Sequence, residues 1–155
     1  WKNLPKGKIR SVALFIKTFS PRWKQDSPPL PVHLPPSPTW LGSPESAARG
    51  EGVYVRAGCW ECHGGPGLKD GQPFRYPWTE GPKSKGLVDD NQEPIHPVDI
   101  RLAKFQGGAW PEDLYRSLVT GMDGTPMPSY ADSLSPDEIW DLVSHALALR
   151  RGAEG

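Results

Sequence analysis

Cys59-Trp60-Glu61-Cys62-His63 decides the reading of this chain, because it holds the only two cysteines among 155 residues. Cysteines three positions apart at the end of a helix lie on one side of it. Each thiol can then add to one vinyl group of a porphyrin. A histidine in the next position is held under the iron, where Nε2 serves as proximal ligand. Cys-x-x-Cys-His is the attachment signature of c-type haem. Nδ1 of that histidine needs an acceptor to fix the ring, and a backbone carbonyl in the Gly64–Pro73 loop is the expected one.

Three other uses of the pair stay open at this point. A disulfide is one. A redox dithiol of the thioredoxin kind expects a βαβ context, which the pattern lacks. A structural zinc site usually takes four Cys or His ligands. Only His33, His96 and His145 remain, and none forms a second close pair.

Downstream, Gly124-Thr125-Pro126-Met127-Pro128-Ser129-Tyr130 gives a second signal. A low-spin electron-transfer haem needs a sixth ligand, and a thioether raises the potential relative to a second imidazole. Met127 sits between two prolines that stiffen its loop. Met122 is the other methionine, and a loop methionine is more often a packing residue. The preceding haem motif and the rigid Pro-Met-Pro turn favour Met127 as ligand. The candidate cofactor-binding residues are therefore Cys59, Cys62, His63 and Met127, with His63 and Met127 on the metal.

Helices flank both motifs. Ser43-Pro44-Glu45 combines an N-cap, a first-turn proline and an acid at the positive dipole end. That helix should run to about Ala57 and stop at Gly58. A short helix fits Val98 to Phe105, and another fits Pro111 to Val119 with Gly121 as its stop. The last starts after Ser135. Ile139, Leu142, Val143, Ala146 and Leu147 share one face, and Arg150-Arg151 meet the negative dipole end. Residues 64–98 read as loop, and neither a strand nor a repeat stands out.

Composition sets the remaining bounds. Eighteen basic and eighteen acidic side chains cancel, so no basic excess points to nucleic acid. Hydrophobic residues make up only 36%, beside 19 prolines and seven tryptophans. So thin a core calls for reinforcement, and a bound prosthetic group would supply it. Residues 21–44 carry eight prolines and should form an extended, semi-rigid linker. Residues 1–20 end in a helical or strand-like run, Val12 to Ile16, too short to cross a bilayer. The chain opens at Trp1 and reads as processed or truncated, with no signal peptide visible; an anchor upstream of Trp1 stays compatible with it.

From Glu45 to Arg151 the order of elements resembles the class I cytochrome c family: first helix, Cys-x-x-Cys-His, long loop, helix, methionine loop, last helix. In that family the first and last helices cross near a glycine and an aromatic residue. Gly50 with Tyr54, and Trp140 on the last helix, look like that contact. More narrowly, the chain resembles the C-terminal half of bacterial diheme c-type cytochromes. In those proteins a segment similar to Val12–Arg22 ends the first haem domain, and a proline-rich strap follows. Only one Cys-x-x-Cys-His is present here, which is a departure from that pattern.

The resemblance implies an all-α class I cytochrome c fold around one haem c, attached through Cys59 and Cys62. An N-terminal segment (1–20) and a Pro-rich linker (21–44) would precede the cytochrome domain (45–152). It implies an electron carrier rather than an enzyme, passing single electrons between redox proteins. A haem subunit of a larger respiratory oxidoreductase, membrane-associated or of the molybdoenzyme type, is the nearest alternative. A haem enzyme or sensor with an open sixth position is a further one, and Met127 argues against it. The expected location is the periplasm or the outer face of the cytoplasmic membrane. Arg101, Trp110 and Tyr130 are candidate partners of a haem propionate. Trp60, Trp78 and Trp110 are expected to shield the haem or pack loops. His96 and His145 read as ordinary surface or core residues, and Asp89-Asp90 as a solvated turn.

Overall fold

The structure, a computed structural model, describes residues 4–21, 31–65, 88–93, 95, 97–101, 105 and 107–153. Most of the 64–98 loop, with Trp78 and His96, lies outside them. The chain divides into two compact units, Trp1–His33 and Leu34–Gly155. In the first, α1 (Lys6–Lys17) resolves the ambiguous apolar run as helix. Ile9, Val12, Phe15, Ile16 and Phe19 are all exposed, and the rings of Phe15 and Phe19 meet edge to face at 5.0 Å.

The second unit holds α2 (Pro44–Arg56), α3 (Cys59–His63), α4 (Pro111–Thr120) and α5 (Pro136–Ala153). Among the described residues there is no strand beyond an isolated bridge at Val88. The fold is all-α, as the sequence implies. Both expected serine caps form. Ser46 N donates to Ser43 Oγ at 3.1 Å. At α5, Glu138 N donates to Ser135 Oγ, and Ser135 N donates back to Glu138 Oε2 at 2.9 Å, a reciprocal capping box. Gly58 ends α2 with φ +73°, a left-handed conformation that glycine adopts without strain.

Packing follows the apolar spacing of α5. Ile139, Trp140 and Val143 bury against Leu114 and Tyr115 of α4, and Leu142 buries with Val53 and Tyr54 of α2. Leu34, Trp40 and Leu41, in the last part of the proline-rich segment, pack onto the first of these clusters. Gly50 lets α2 and α5 cross in close contact. A Cβ there would stand 1.9 Å from the Asp141 carbonyl oxygen and 2.9 Å from His145 Cβ. The expected aromatic contact differs in its partner. Tyr54 meets His145, ring centroids 5.1 Å apart, whereas Trp140 packs on Tyr115 at 4.4 Å. Leu142 lies on the Tyr54 face of α5, and Trp140 is turned toward α4.

A buried carboxylate also ties this crossing. Asp141 accepts from Arg49 Nε at 2.8 Å and Nη2 at 2.7 Å, and lies 2.8 Å from Ser46 Oγ. The guanidinium in turn covers the Trp40 ring at 5.1 Å. The expected helix over Val98–Phe105 does not form across Val98–Arg101. There the Asp99 side chain takes the Arg101 backbone N–H at 3.0 Å, a local bond that competes with helix. Residues 102–104 lie outside the described set.

Candidate haem site

α2 ends where the motif begins. Ala57 and Gly58 turn the chain, and α3 presents Cys59, Cys62 and His63 within one short helix. Gly64 leaves with φ +75°. Its carbonyl accepts the Tyr54 hydroxyl at 2.6 Å, which ties the end of the motif back to α2. Burial and the nearby thiols push the Tyr54 phenol well above its ordinary value.

His63 Nδ1 lies 2.8 Å from the Val98 carbonyl. The acceptor is therefore not in the Gly64–Pro73 loop: a segment 35 residues farther along the chain supplies it. With Nδ1 donating there, Nε2 is the nitrogen left for a metal. Burial lowers the His63 pKa, partly opposed by the Val98 carbonyl and the Asp99 charge. That direction favours the neutral ring, the state a ligand requires.

Opposite in sequence, the loop after α4 is held by its own polar groups. Met122 N donates to the Met127 carbonyl at 3.2 Å, Met127 N to Thr125 Oγ1 at 3.2 Å, and Ser129 Oγ to the Val119 carbonyl at 2.6 Å. Gly121 sits at φ +68°, where a Cβ would come within 2.7 to 2.9 Å of the backbone of residues 127–129. Only glycine permits that approach, so the methionine loop folds tightly against the end of α4.

These segments line a half-open cavity formed by Gly58, Cys59, Cys62, His63, Ile95, Pro97, Pro126, Met127, Pro128 and Tyr130. Met122 is 40% exposed and outside the lining. All four sequence candidates thus meet in one place. The Tyr130 phenol and the Cys59 thiol both line this space. Burial first, then that sulfur, pushes the phenol up to about 12. Burial likewise raises the Cys59 thiol. No disulfide joins the two cysteines. Among the described residues no group of three or more His, Cys, Asp or Glu could hold a metal ion, which removes the zinc reading there.

A family model described as Cytochrome c matches residues 47–149, more than half of the chain. The chain belongs to the cytochrome c family. Haem c is its cofactor, and Cys59 and Cys62 are the only cysteines that can form the thioethers. The residues fit that group. The cavity brings two thiols, an imidazole with Nδ1 already committed and a soft thioether into a lining completed by three prolines, Ile95, Gly58 and Tyr130. Haem-based electron transfer is what this cytochrome domain supports.

One solved structure, the reducing HAO-like protein complex of Kuenenia stuttgartiensis, contains a chain similar to this cytochrome. The two are 32% identical with a TM-score of 0.77, over 96% of this chain and 63% of that one. The cytochrome thus spans less than two thirds of its solved relative. No curated protein matches it.

Of the weaker candidates Tyr130 lines the cavity, and the other described ones lie outside its lining. Trp110 is 76% exposed and outside the cavity lining. Trp60 packs against the Val53–Tyr54–Leu142 cluster. Arg101 forks onto Asp99, Nε to Oδ1 at 3.0 Å and Nη2 to Oδ2 at 2.6 Å. His145 is a core residue. Sequence reading missed the Val98 carbonyl and the Asp99–Arg101 pair. The available signal was Asp-Ile-Arg after a proline, since aspartate readily binds the backbone N–H two residues on.

Proposed function

We propose that this cytochrome carries single electrons between redox proteins, with His63 and Met127 as the two axial ligands of its haem iron. The observation that carries the reading is the shared cavity, in which both cysteines, His63 and Met127 face one space from which Met122 is absent. When bound, the haem supplies reversible one-electron chemistry. Cys59 and Cys62 anchor it, and His63 is oriented by Val98. Met127 would supply the second ligand to the iron, and its soft sulfur would favour the reduced state. Ile95, Pro97, Pro126 and Pro128 give the site apolar walls. A fixed ligand pair in both oxidation states keeps reorganisation small, which suits a carrier rather than an enzyme.

Two finer readings accompany this one. The similar solved chain belongs to a complex, which supports a haem subunit that passes electrons within a larger oxidoreductase. The bare apolar stripe of α1 supports the resemblance to diheme cytochromes, with residues 1–22 as the tail of a preceding haem domain. Either arrangement belongs outside the cytoplasm, in the periplasm or on the outer membrane face, where bacteria attach haem to cysteines.

Absorption spectra of protein made in a haem-attaching host test the proposal. Haem that resists acidified organic solvent, sharp reduced bands and a weak far-red band when oxidised are the expected result. Attached haem without the far-red band would overturn Met127 ligation and favour an open-site enzyme or sensor. A colourless product would overturn the proposal entirely.

A further inference from the structure

The segment Pro97–Arg101 does more than line the cavity. Val98 carries the carbonyl that meets His63 Nδ1, and the next residue, Asp99, is buried. Asp99 accepts three bonds from Arg101: backbone N at 3.0 Å, Nε at 3.0 Å and Nη2 at 2.6 Å. Both carboxylate oxygens are therefore used, and the backbone on the C-terminal side of Val98 is tied into a closed turn. An exposed loop carbonyl would otherwise rotate freely. This one is presented to an imidazole from a residue that is itself locked. Ile100, between the two partners, packs on the Val53–Tyr54–Leu142 cluster and seats the turn on the core.

We propose that Asp99, clamped by Arg101, is a positioning residue that fixes the Val98 carbonyl on His63 Nδ1 and so sets the donor strength of His63 toward the iron. The inference rests on His63 being the axial ligand. A firmly held carbonyl draws the Nδ1 proton outward and makes Nε2 a stronger donor. The buried carboxylate adds negative charge beside the same ring. Both effects favour the oxidised iron, so they lower the potential that Met127 raises.

The test uses the haem-loaded protein and two readouts: the midpoint potential, and exchange of the His63 ring N–H followed by NMR. Asp99→Asn should raise the potential and speed the exchange, while the far-red Met–iron band persists. Asp99→Glu should restore most of both. A raised potential with unchanged exchange would leave only a charge effect and overturn the positioning role, as would no change in either. Should Asp99→Asn fail to fold, Arg101→Gln keeps the carboxylate and opens the clamp. Faster exchange is expected there, and unchanged exchange overturns the proposal. The NMR spectrum of the unsubstituted protein separates the two levels: without iron-shifted His63 signals, the ligand assignment itself falls.

Discussion

The Tyr54 hydroxyl and the Gly64 carbonyl are joined at 2.6 Å, so α2 holds the residue that follows the motif histidine. Both groups are buried. Tyr54→Phe leaves the carbonyl without its donor, and an unsatisfied buried acceptor costs about 1–3 kcal/mol. Guanidinium unfolding of the haem-loaded variant should show a lower midpoint with an unchanged slope. An unaltered midpoint would mean that the bond contributes nothing net.

Two glycines in one helix should respond in opposite directions. At Gly50 an added methyl meets the Asp141 carbonyl, so Gly50→Ala forces α2 and α5 apart. Such overpacking typically costs about 1–3 kcal/mol. Gly52 has nothing within 4 Å, and Gly52→Ala at that exposed helical site should add about 0.5–1 kcal/mol. Thermal melts of both variants beside the parent check the pair. Equal shifts of the same sign would contradict the crossing geometry.

Acid should weaken the helix crossing through His145. Its ordinary pKa is 6.5, and burial lowers it in the fold, partly offset by Glu51 and the Ala47 carbonyl. As pH falls, the unfolded chain therefore takes the proton first. Stability from the neutral ring is complete above 6.5, declines as pH drops toward the folded pKa, and is flat below it. Melting temperatures between pH 7.5 and 5 should fall for the parent and fall less for His145→Gln. Parallel curves would assign the acid sensitivity to other groups.

Much of this was legible in the sequence because the signals are local. Ser43 and Ser135 cap their helices within three residues, and the 3.6-residue spacing of Ile139, Leu142, Val143 and Ala146 marks one face of α5. Short motifs also singled out Cys59, Cys62, His63 and Met127, which line one cavity. What stayed hidden depends on long-range closure. No local pattern says that Val98, rather than a nearer carbonyl, reaches His63. Nor does one show that Tyr54 faces His145 while Trp140 turns to Tyr115, since both are aromatic residues on helices that touch. Across Val98–Arg101 the side chain of Asp99 competes with helix by binding the Arg101 backbone N–H.

Met127→Ala addresses the assignment on which the function depends. The loop around it is held by Thr125 and Ser129 through bonds that do not involve the thioether, so its fold should survive the change. Haem should remain attached, because Cys59, Cys62 and His63 are untouched. Loss of the soft axial ligand should lower the potential. It should also open the iron to small ligands such as imidazole or cyanide, seen as new bands on titration. Met122→Ala is the control, and it should alter neither property because that side chain lies outside the cavity lining. A Met127→Ala protein that kept its potential and refused added ligands would move the sixth ligand to Met122 or to a histidine.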